Sequence, residues 1–168
     1  VTDVTFSEKL KGYSSFYAAD YNYIAPEWMD VYIVKGDDES TINLEQVEDR
    51  TITKGEAVLL KSGNDVNVEG GIAEHLTYAT HGSSASYEGN LLKGVKEDTP
   101  ADQLSSEGFV YALNCNQAGE NTGFYKLSGD ETMPTGKAYL DPSDFDPQQV
   151  ANDCLFVCDG SSTDVKYA

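Results

Sequence analysis

Three short segments of the first half of the chain recur, in the same order, in the second half. The matches pair 15–22 (SFYAADYN) with 109–116 (FVYALNCN), 31–37 (VYIVKGD) with 124–130 (FYKLSGD), and 51–60 (TITKGEAVLL) with 132–141 (TMPTGKAYLD). The extra length of the first copy is confined to DESTINLEQVEDR at 38–50. The shared letters are Tyr, Gly, Ala, Leu and Asp, which serve packing and turns. The repeat therefore predicts a duplicated folding unit rather than a duplicated chemistry.

The matched runs are typical of β-strands. They are rich in aromatic and β-branched residues and are bounded by Gly, Asp, Asn and Pro. Helical patterns are short: 42–50 predicts one or two helical turns, and Pro147 limits a helix starting near Ser143 or Asp144. We predict one all-β domain over 1–168, sandwich-like or barrel-like. Its halves cover about 13–68 and 109–145, joined by a polar connector at about 69–108 and followed by a closing strand at about 153–168.

The charge balance limits the classes of partner. Twenty-nine acidic residues against 11 basic ones give a formal net charge of −18. Such a surface repels nucleic-acid phosphates and anionic lipid headgroups, so we expect no nucleic-acid partner. No apolar run reaches membrane-spanning length. The 11 Tyr and 15 Gly, with many Ser, Thr and Asn, are typical of exported β-proteins. We expect an extracellular or cell-surface protein whose signal peptide is absent from this sequence.

An aromatic group is the first candidate site. Tyr21 and Tyr23 alternate, so a strand would place both rings on one face, and Trp28 follows shortly after. Exposed Tyr and Trp rings form platforms for sugar rings or peptides, whereas buried ones pack between sheets. These three residues are the candidate ligand-binding residues.

Three carboxylates form the second candidate site. Asp141, Asp144 and Asp146 lie close together in a segment with loop character. Calcium takes several oxygen ligands from flexible loops, so these residues are the candidate metal site. The spacing lacks the Gly and distal Glu of the helix-loop-helix calcium pattern. Turn formation and helix capping explain the same residues without a metal.

Patterns for catalysis and redox chemistry are weak. His75 and His81 lie near Ser83 and Ser84, but no Gly-x-Ser-x-Gly elbow is present, and the histidine spacing of six suits no compact metal motif. We therefore expect no enzyme activity, no catalytic residue and no cofactor. Three cysteines, at positions 115, 154 and 158, leave at least one unpaired, and which of them pair stays open.

The chain also resembles a family of proteins. The segments YSSFYAADYNYIAPEW, NLLKG (90–94) and GFYKLSGDETMPTGKAYL (123–140) resemble uncharacterised all-β modules in secreted and surface proteins of gut Bacteroidales, sometimes beside leucine-rich repeats. The resemblance covers most of the chain from Tyr13 onward. It implies an exported protein with a β-sandwich-like or barrel-like fold, and it carries no known activity.

These observations favour a binding or adhesion module of a bacterial surface protein, without enzyme activity. The expected partner is a glycan or a surface protein of host or bacterium. A structural spacer or stalk domain with no ligand of its own is the alternative, and a small hydrolase is a weaker one.

Overall fold

A computed structural model describes residues 2–8, 10–36, 42–64, 66, 71–114, 122–144, 154–157 and 164–165, with the backbone alone at 36, 42, 43, 154–157 and 164–165. These residues form 16 β-strands and two 3₁₀ helices of three residues each. No helix in this part of the chain is long and apolar enough to cross a membrane. The predicted all-β fold is confirmed.

Two antiparallel five-stranded sheets form the centre of the molecule. The first has the order β16-β5-β4-β7-β2, with bounds β2 (Tyr13–Tyr17), β4 (Met29–Gly36), β5 (Ile42–Gln46), β7 (Ala57–Ser62) and β16 (Asp164–Val165). The second has the order β15-β12-β11-β14-β9, with bounds β9 (Leu92–Gly94), β11 (Phe109–Asn114), β12 (Gly123–Ser128), β14 (Ala138–Leu140) and β15 (Cys154–Val157). Neither sheet closes on itself in the described part of the chain.

Smaller sheets cover the outer faces of these two. A four-stranded sheet of order β1-β8-β3-β6 covers the first; its strands are β1 (Thr2–Phe6), β3 (Tyr23–Ile24), β6 (Thr51–Ile52) and β8 (Ile72–Tyr78). A two-stranded sheet of β10 (Thr99–Pro100) and β13 (Thr132–Met133) covers the second, beside a 3₁₀ helix at Ala101–Gln103. A second 3₁₀ helix occupies Pro142–Asp144. The arrangement is a stack of layers, which fits the sandwich-like form of the prediction.

The cores follow from this stacking, since a central sheet buries both of its faces. In β7, Ala57 and Leu59 pack into the core between the two central sheets, whereas Val58 and Leu60 pack toward the outer sheet. This explains why the run AVLL is apolar without alternation. The core between the central sheets also contains Tyr111, which is fully buried. The two central sheets therefore share one core.

Strand pairing shows which parts of the chain are duplicated. Strands β2 to β7 of a first unit (residues 13–62) occupy the same sheet positions as β9 to β14 of a second unit (residues 92–140). Tyr32 pairs with Leu59 in the first unit and Tyr111 pairs with Leu140 in the second. This register aligns VYIV (31–34) with VYAL (110–113). The same strand order therefore occurs twice, but each unit has six strands and the second begins well before residue 109.

Two of the three sequence matches consequently joined strands that do not correspond. The match of 15–22 with 109–116 set β2 against β11, whose position in the sheet is that of β4. The match of 31–37 with 124–130 set β4 against β12, which corresponds to β5. Both were wrong by one strand, because half-buried strands share the same apolar alternation and short runs cannot tell neighbours apart. The helical turns predicted over 42–50 were also wrong, since β5 lies there.

The third match is correct and contains a shared turn. In the first unit the Gly55 N–H donates to the Ala18 carbonyl (2.6 Å) and the Ala18 N–H to the Glu56 carbonyl (3.0 Å). In the second, Gly136 donates to Val95 (2.9 Å) and Val95 to Lys137 (3.2 Å). The two glycines have φ of +88° and +79°. Both turns therefore need glycine for the same backbone reason.

The predicted connector contains β8 of the outer sheet and the first two strands of the second unit. Strands β8, β9 and β10 all lie within 69–108. Leu92 of the NLLKG segment is buried in the core between the central sheets. Gly94 corresponds to Tyr17 by strand register, and a Cβ built at Gly94 would overlap the Tyr17 ring. The two units therefore contact each other at Gly94, where the absence of a side chain leaves room for the Tyr17 ring.

Candidate functional site

The aromatic candidates lie at one end of the outer four-stranded sheet. Strand β3 places Tyr23 opposite Tyr78 of β8 and Ile52 of β6, and the Tyr23 side chain is 8% exposed. Its ring contacts Phe16 edge-on, with centroids 5.2 Å apart, and Tyr78 at 5.4 Å. Burial first, and then the neighbouring Tyr78 and Asp20, raise the pKa of Tyr23, so its hydroxyl stays neutral near pH 7. Tyr23 is a support rather than a surface residue.

Two other tyrosines form the exposed part of this group. The rings of Tyr21 and Tyr78 stack with centroids 4.6 Å apart and planes 24° apart. Their side chains remain 52% and 55% exposed, respectively. The Tyr21 ring also meets Tyr23 edge-on at 6.5 Å. Tyr21 and Tyr78, held from below by Tyr23, are called the tyrosine platform below.

Trp28 takes no part in the platform. It is 37% exposed, and its carbonyl accepts a hydrogen bond from the Gly63 N–H at 2.7 Å. Among the ring contacts of the described residues, none joins Trp28 to a tyrosine. The sequence thus indicated Tyr21 and Tyr23 as neighbours but missed Tyr78, which is distant in the chain. The available signal was that Tyr78 ends an alternating strand.

Polar groups surround the platform. Asp20, next to Tyr21, forms an exposed ion pair with Lys96 at 3.2 Å. The Asn22 side-chain oxygen accepts a hydrogen bond from the Lys54 N–H at 2.7 Å, and the Asn22 carbonyl accepts one from Ala79 at 2.9 Å. The segment carrying Tyr21 is therefore fixed by one side-chain and one backbone hydrogen bond of Asn22, each to a different neighbouring loop. The platform is preorganised on a rigid support.

The carboxylate candidates meet a lysine. Asp141 is 8% exposed, and it accepts hydrogen bonds from the Ser105 hydroxyl (2.7 Å) and from the Ser143 N–H (3.0 Å) and hydroxyl (2.8 Å). The Lys93 ammonium lies 3.4 Å from Asp141 and 3.3 Å from Asp144. Burial raises the pKa of Asp141, but these hydrogen bonds and the Lys93 charge outweigh it, so the pKa is lowered.

This arrangement has the form of a capped turn with an ion pair. Asp141 precedes the 3₁₀ helix Pro142–Asp144, and the Asp144 N–H donates to its carbonyl at 3.0 Å. Within the described ranges, no group of three His, Cys, Asp or Glu side chains is placed to hold a metal ion. Asp146 lies outside the described residues. The calcium hypothesis stays a prediction.

The histidines and serines have separate partners. His75 Nδ1 lies 2.6 Å from Asp3 Oδ1, and His81 Nε2 lies 3.1 Å from the Thr80 hydroxyl. The hydroxyls of Ser83 and Ser84 donate to the Asp49 carboxylate at 2.9 and 2.8 Å. Asp49 therefore fixes the 83–84 loop to the first unit. Cys115 and Cys158 lie outside the described residues, as does the side chain of Cys154, and the cysteine pairing stays open.

The sequence did not predict a second candidate site, which is a pocket. Where the two units meet, a pocket of about 220 Å³ lies beside Lys137. Lys137 belongs to a correctly matched segment, in which the first unit carries Glu56. The opposite charges of these two equivalent residues were the sequence feature that could have indicated the pocket. Comparison with known protein families, with curated proteins and with solved structures finds no match to this chain.

Proposed function

We propose that this protein is an exported carbohydrate-binding module, without enzyme activity, whose recognition surface is the tyrosine platform. One observation carries the proposal: two stacked tyrosine rings remain more than half exposed on a rigid sheet end. Exposed aromatic rings of this kind are costly to leave in water and mark binding surfaces. Tyrosine supplies a flat apolar face and a hydroxyl with little conformational entropy to lose.

A neutral glycan fits this platform better than a charged polymer does. The net charge of −18 disfavours polyanions at any distance within the Debye length. A sugar ring presents an apolar C–H face for stacking and hydroxyls for hydrogen bonds at its edge. The tyrosine hydroxyls, the Asp20 carboxylate and the Lys96 ammonium are available at the rim of the platform.

Export and surface location belong to the same proposal. They rest on the polar, tyrosine-rich composition and on the resemblance to surface modules of gut Bacteroidales. Platforms of this kind suit adhesion, because several weak copies on one surface gain avidity. The natural ligand would then be a host or bacterial glycan.

The test is a screen of immobilised neutral glycans followed by calorimetric titration of each hit. We expect Tyr21→Ala and Tyr78→Ala each to weaken binding by about tenfold or more, as for residues at the centre of an interface. Trp28→Ala tests whether the tryptophan contributes, and it should leave the affinity within about twofold. Ile24→Ala is the matched control, because Ile24 is 41% exposed on the same strand as Tyr23.

Two results would contradict the carbohydrate proposal. If no neutral glycan binds, or if both tyrosine variants bind as the unchanged protein does, the carbohydrate proposal is wrong. The structural-spacer alternative would then be favoured. Circular dichroism of each variant shows whether a loss of binding comes from loss of the fold.

A further inference from the structure

The pocket beside Lys137 forms where the edge strand of the first unit crosses the second unit. Its volume is about 220 Å³. The first unit and the segment before it contribute Leu10, Ser14 and Ser15. The second unit contributes most of the wall, which is largely apolar: Ala112, Leu113, Leu127, Thr132, Met133 and Pro134.

Lys137 is the charged group of this pocket. Its ammonium lies 3.2 Å from the Ser14 hydroxyl and 3.3 Å from the Ser15 carbonyl, and both partners are neutral. Among the side chains that the structure describes, no carboxylate forms an ion pair with Lys137. A lysine ammonium has three N–H donors, so one remains for a ligand. Burial alone lowers the pKa of Lys137, in a protein that otherwise has an excess of negative charge.

The corresponding place in the first unit shows how the pocket arose. Strand register makes Ile33 the counterpart of Ala112, and Leu91 and Leu92 the counterparts of Ser14 and Ser15. In each of these three pairs, the residue of the pocket wall is the smaller one. The pocket is therefore opened by three small residues at positions where the same framework holds large ones.

The first unit is also covered at this place. Tyr87 and Ala85 pack against its outer core, and the Tyr87 hydroxyl donates to the Thr51 carbonyl at 2.5 Å. Thr51 is buried, whereas its counterpart Thr132 is exposed. Glu56, the counterpart of Lys137, meets the Asn90 amide at 3.4 Å. The second unit thus combines an uncovered pocket with a reversed charge.

We propose that this pocket binds a small monocarboxylate with an apolar body, whose carboxylate pairs with the Lys137 ammonium. An ion pair of this kind satisfies the remaining N–H donor and compensates a partly buried charge. The apolar walls accept the rest of the ligand. An apolar cavity of about 150 Å³ holds benzene, so the larger pocket has room for a six-membered ring carrying a carboxylate. The proposal is independent of the tyrosine platform.

The first test compares ligands by NMR titration of the whole protein. Benzoate and cyclohexanecarboxylate should bind and shift the resonances of Met133 and Lys137. Benzamide has the same shape without the charge and should bind more weakly by about tenfold or more. Equal binding of benzamide, or no binding of either carboxylate at millimolar concentration, would overturn the proposal.

The second test uses variants. Lys137→Met should lower benzoate affinity by about tenfold or more, whereas Lys126→Met, at a lysine that lies over the Phe109 ring, should change nothing. Ala112→Ile keeps the lysine and installs the residue of the first unit, so it should block benzoate by filling the pocket. Retained affinity in both Lys137→Met and Ala112→Ile would sink the assignment. Glycan binding, where present, should survive Ala112→Ile, which separates the two proposals.

The pH dependence gives an independent check on the ion pair. Burial lowers the pKa of Lys137, and a carboxylate beside it should raise that pKa again. Benzoate should therefore bind with proton uptake at pH values above the lowered pKa, and its affinity should fall as the pH rises through it. An affinity that stays constant up to pH 11 would contradict an ion pair with this lysine.

Discussion

The two units share a framework and differ in what covers it. Both place six strands in the same order, and both hold a buried alanine at the same point: the Ala25 N–H donates to the Arg50 carbonyl, and the Ala101 N–H to the Glu131 carbonyl. In the first unit, β1 and β8 extend the β3-β6 pair into a four-stranded covering sheet, whereas among the described elements the corresponding β10-β13 pair of the second unit has only a 3₁₀ helix beside it. The tyrosine platform and the pocket beside Lys137 both lie where the covering layers of the two units differ. The strand framework is thus the same in both units, and the covering layers differ.

Equivalent core positions, both in the core between the central sheets and in the outer cores, show how much variation the framework tolerates. Leu44 of the first unit corresponds to Phe124 of the second, and Ile52 corresponds to Met133. All four are buried. Side chains of different size thus occupy equivalent positions, and the two halves are not mirror copies of one packing. Cores tolerate such exchanges when the total volume is kept.

The largest expected effect separates two equivalent tyrosines. Tyr111 is fully buried in the central core, whereas Tyr32 is half-buried at its edge. Tyr111→Ala should lower the free energy of unfolding by about 3–5 kcal/mol, and Tyr32→Ala by about 1–2 kcal/mol. Urea unfolding measures both. Tyr111→Leu is the milder variant if the alanine form does not fold. Equal losses of stability at the two positions would show that the two tyrosines contribute equally to the core, which contradicts the prediction.

An intermediate effect should be the same in both units. Gly55 and Gly136 have positive φ, and a Cβ at either would meet no atom within 4 Å. Gly55→Ala and Gly136→Ala should therefore each cost about 1–2 kcal/mol, from backbone strain alone. Thermal and urea unfolding should give matching values. If the losses of stability in the two variants differ by more than about 1 kcal/mol, the two turns are not equivalent, because independent sites usually agree more closely than that.

The smallest effect compares a carboxylate of the first unit, Asp49, with Asp141, which directly follows the second unit. Burial raises the pKa of Asp49 and of Asp141, but hydrogen bonds from Thr51 and Ser84 to the first, and from Ser143 and Ser105 to the second, lower both pKa values overall. A lowered folded pKa stabilises the protein above the unfolded pKa near 4, and this stabilisation is lost as the pH falls further. Each contribution should be about 1 kcal/mol or less.

Asp49→Asn and Asp141→Asn should therefore each reduce the loss of stability between pH 6 and pH 3. Glu107→Gln, at an exposed carboxylate, serves as the control. Urea unfolding at the two pH values gives the measurement. If the aspartate variants lose as much stability on acidification as the unchanged protein, the two hydrogen-bonded clusters do not depend on the charge.

The candidate sites show which features local sequence patterns can predict and which they cannot. Alternation predicted that a strand would place Tyr21 and Tyr23 on one face; their rings are in contact, but Tyr21 precedes β3 and is exposed, whereas Tyr23 is buried. It could not show that Tyr23 is buried, because burial depends on β8, which crosses from a distant part of the chain. Tyr78 was missed for the same reason. Lys137 was missed because its partners, Ser14 and Ser15, are more than 120 residues away.

The all-β class, a repeated pattern and the glycine turn of each unit can be read from the sequence alone. These follow from side-chain alternation and from backbone conformations that few residues can adopt, and both are local properties. Which strands correspond, which tyrosines are exposed and where a lysine meets a pocket were decided only by the tertiary structure. The physical reason is that strand pairing joins segments distant in the chain, and a shift of one strand changes every neighbour while leaving each local pattern intact.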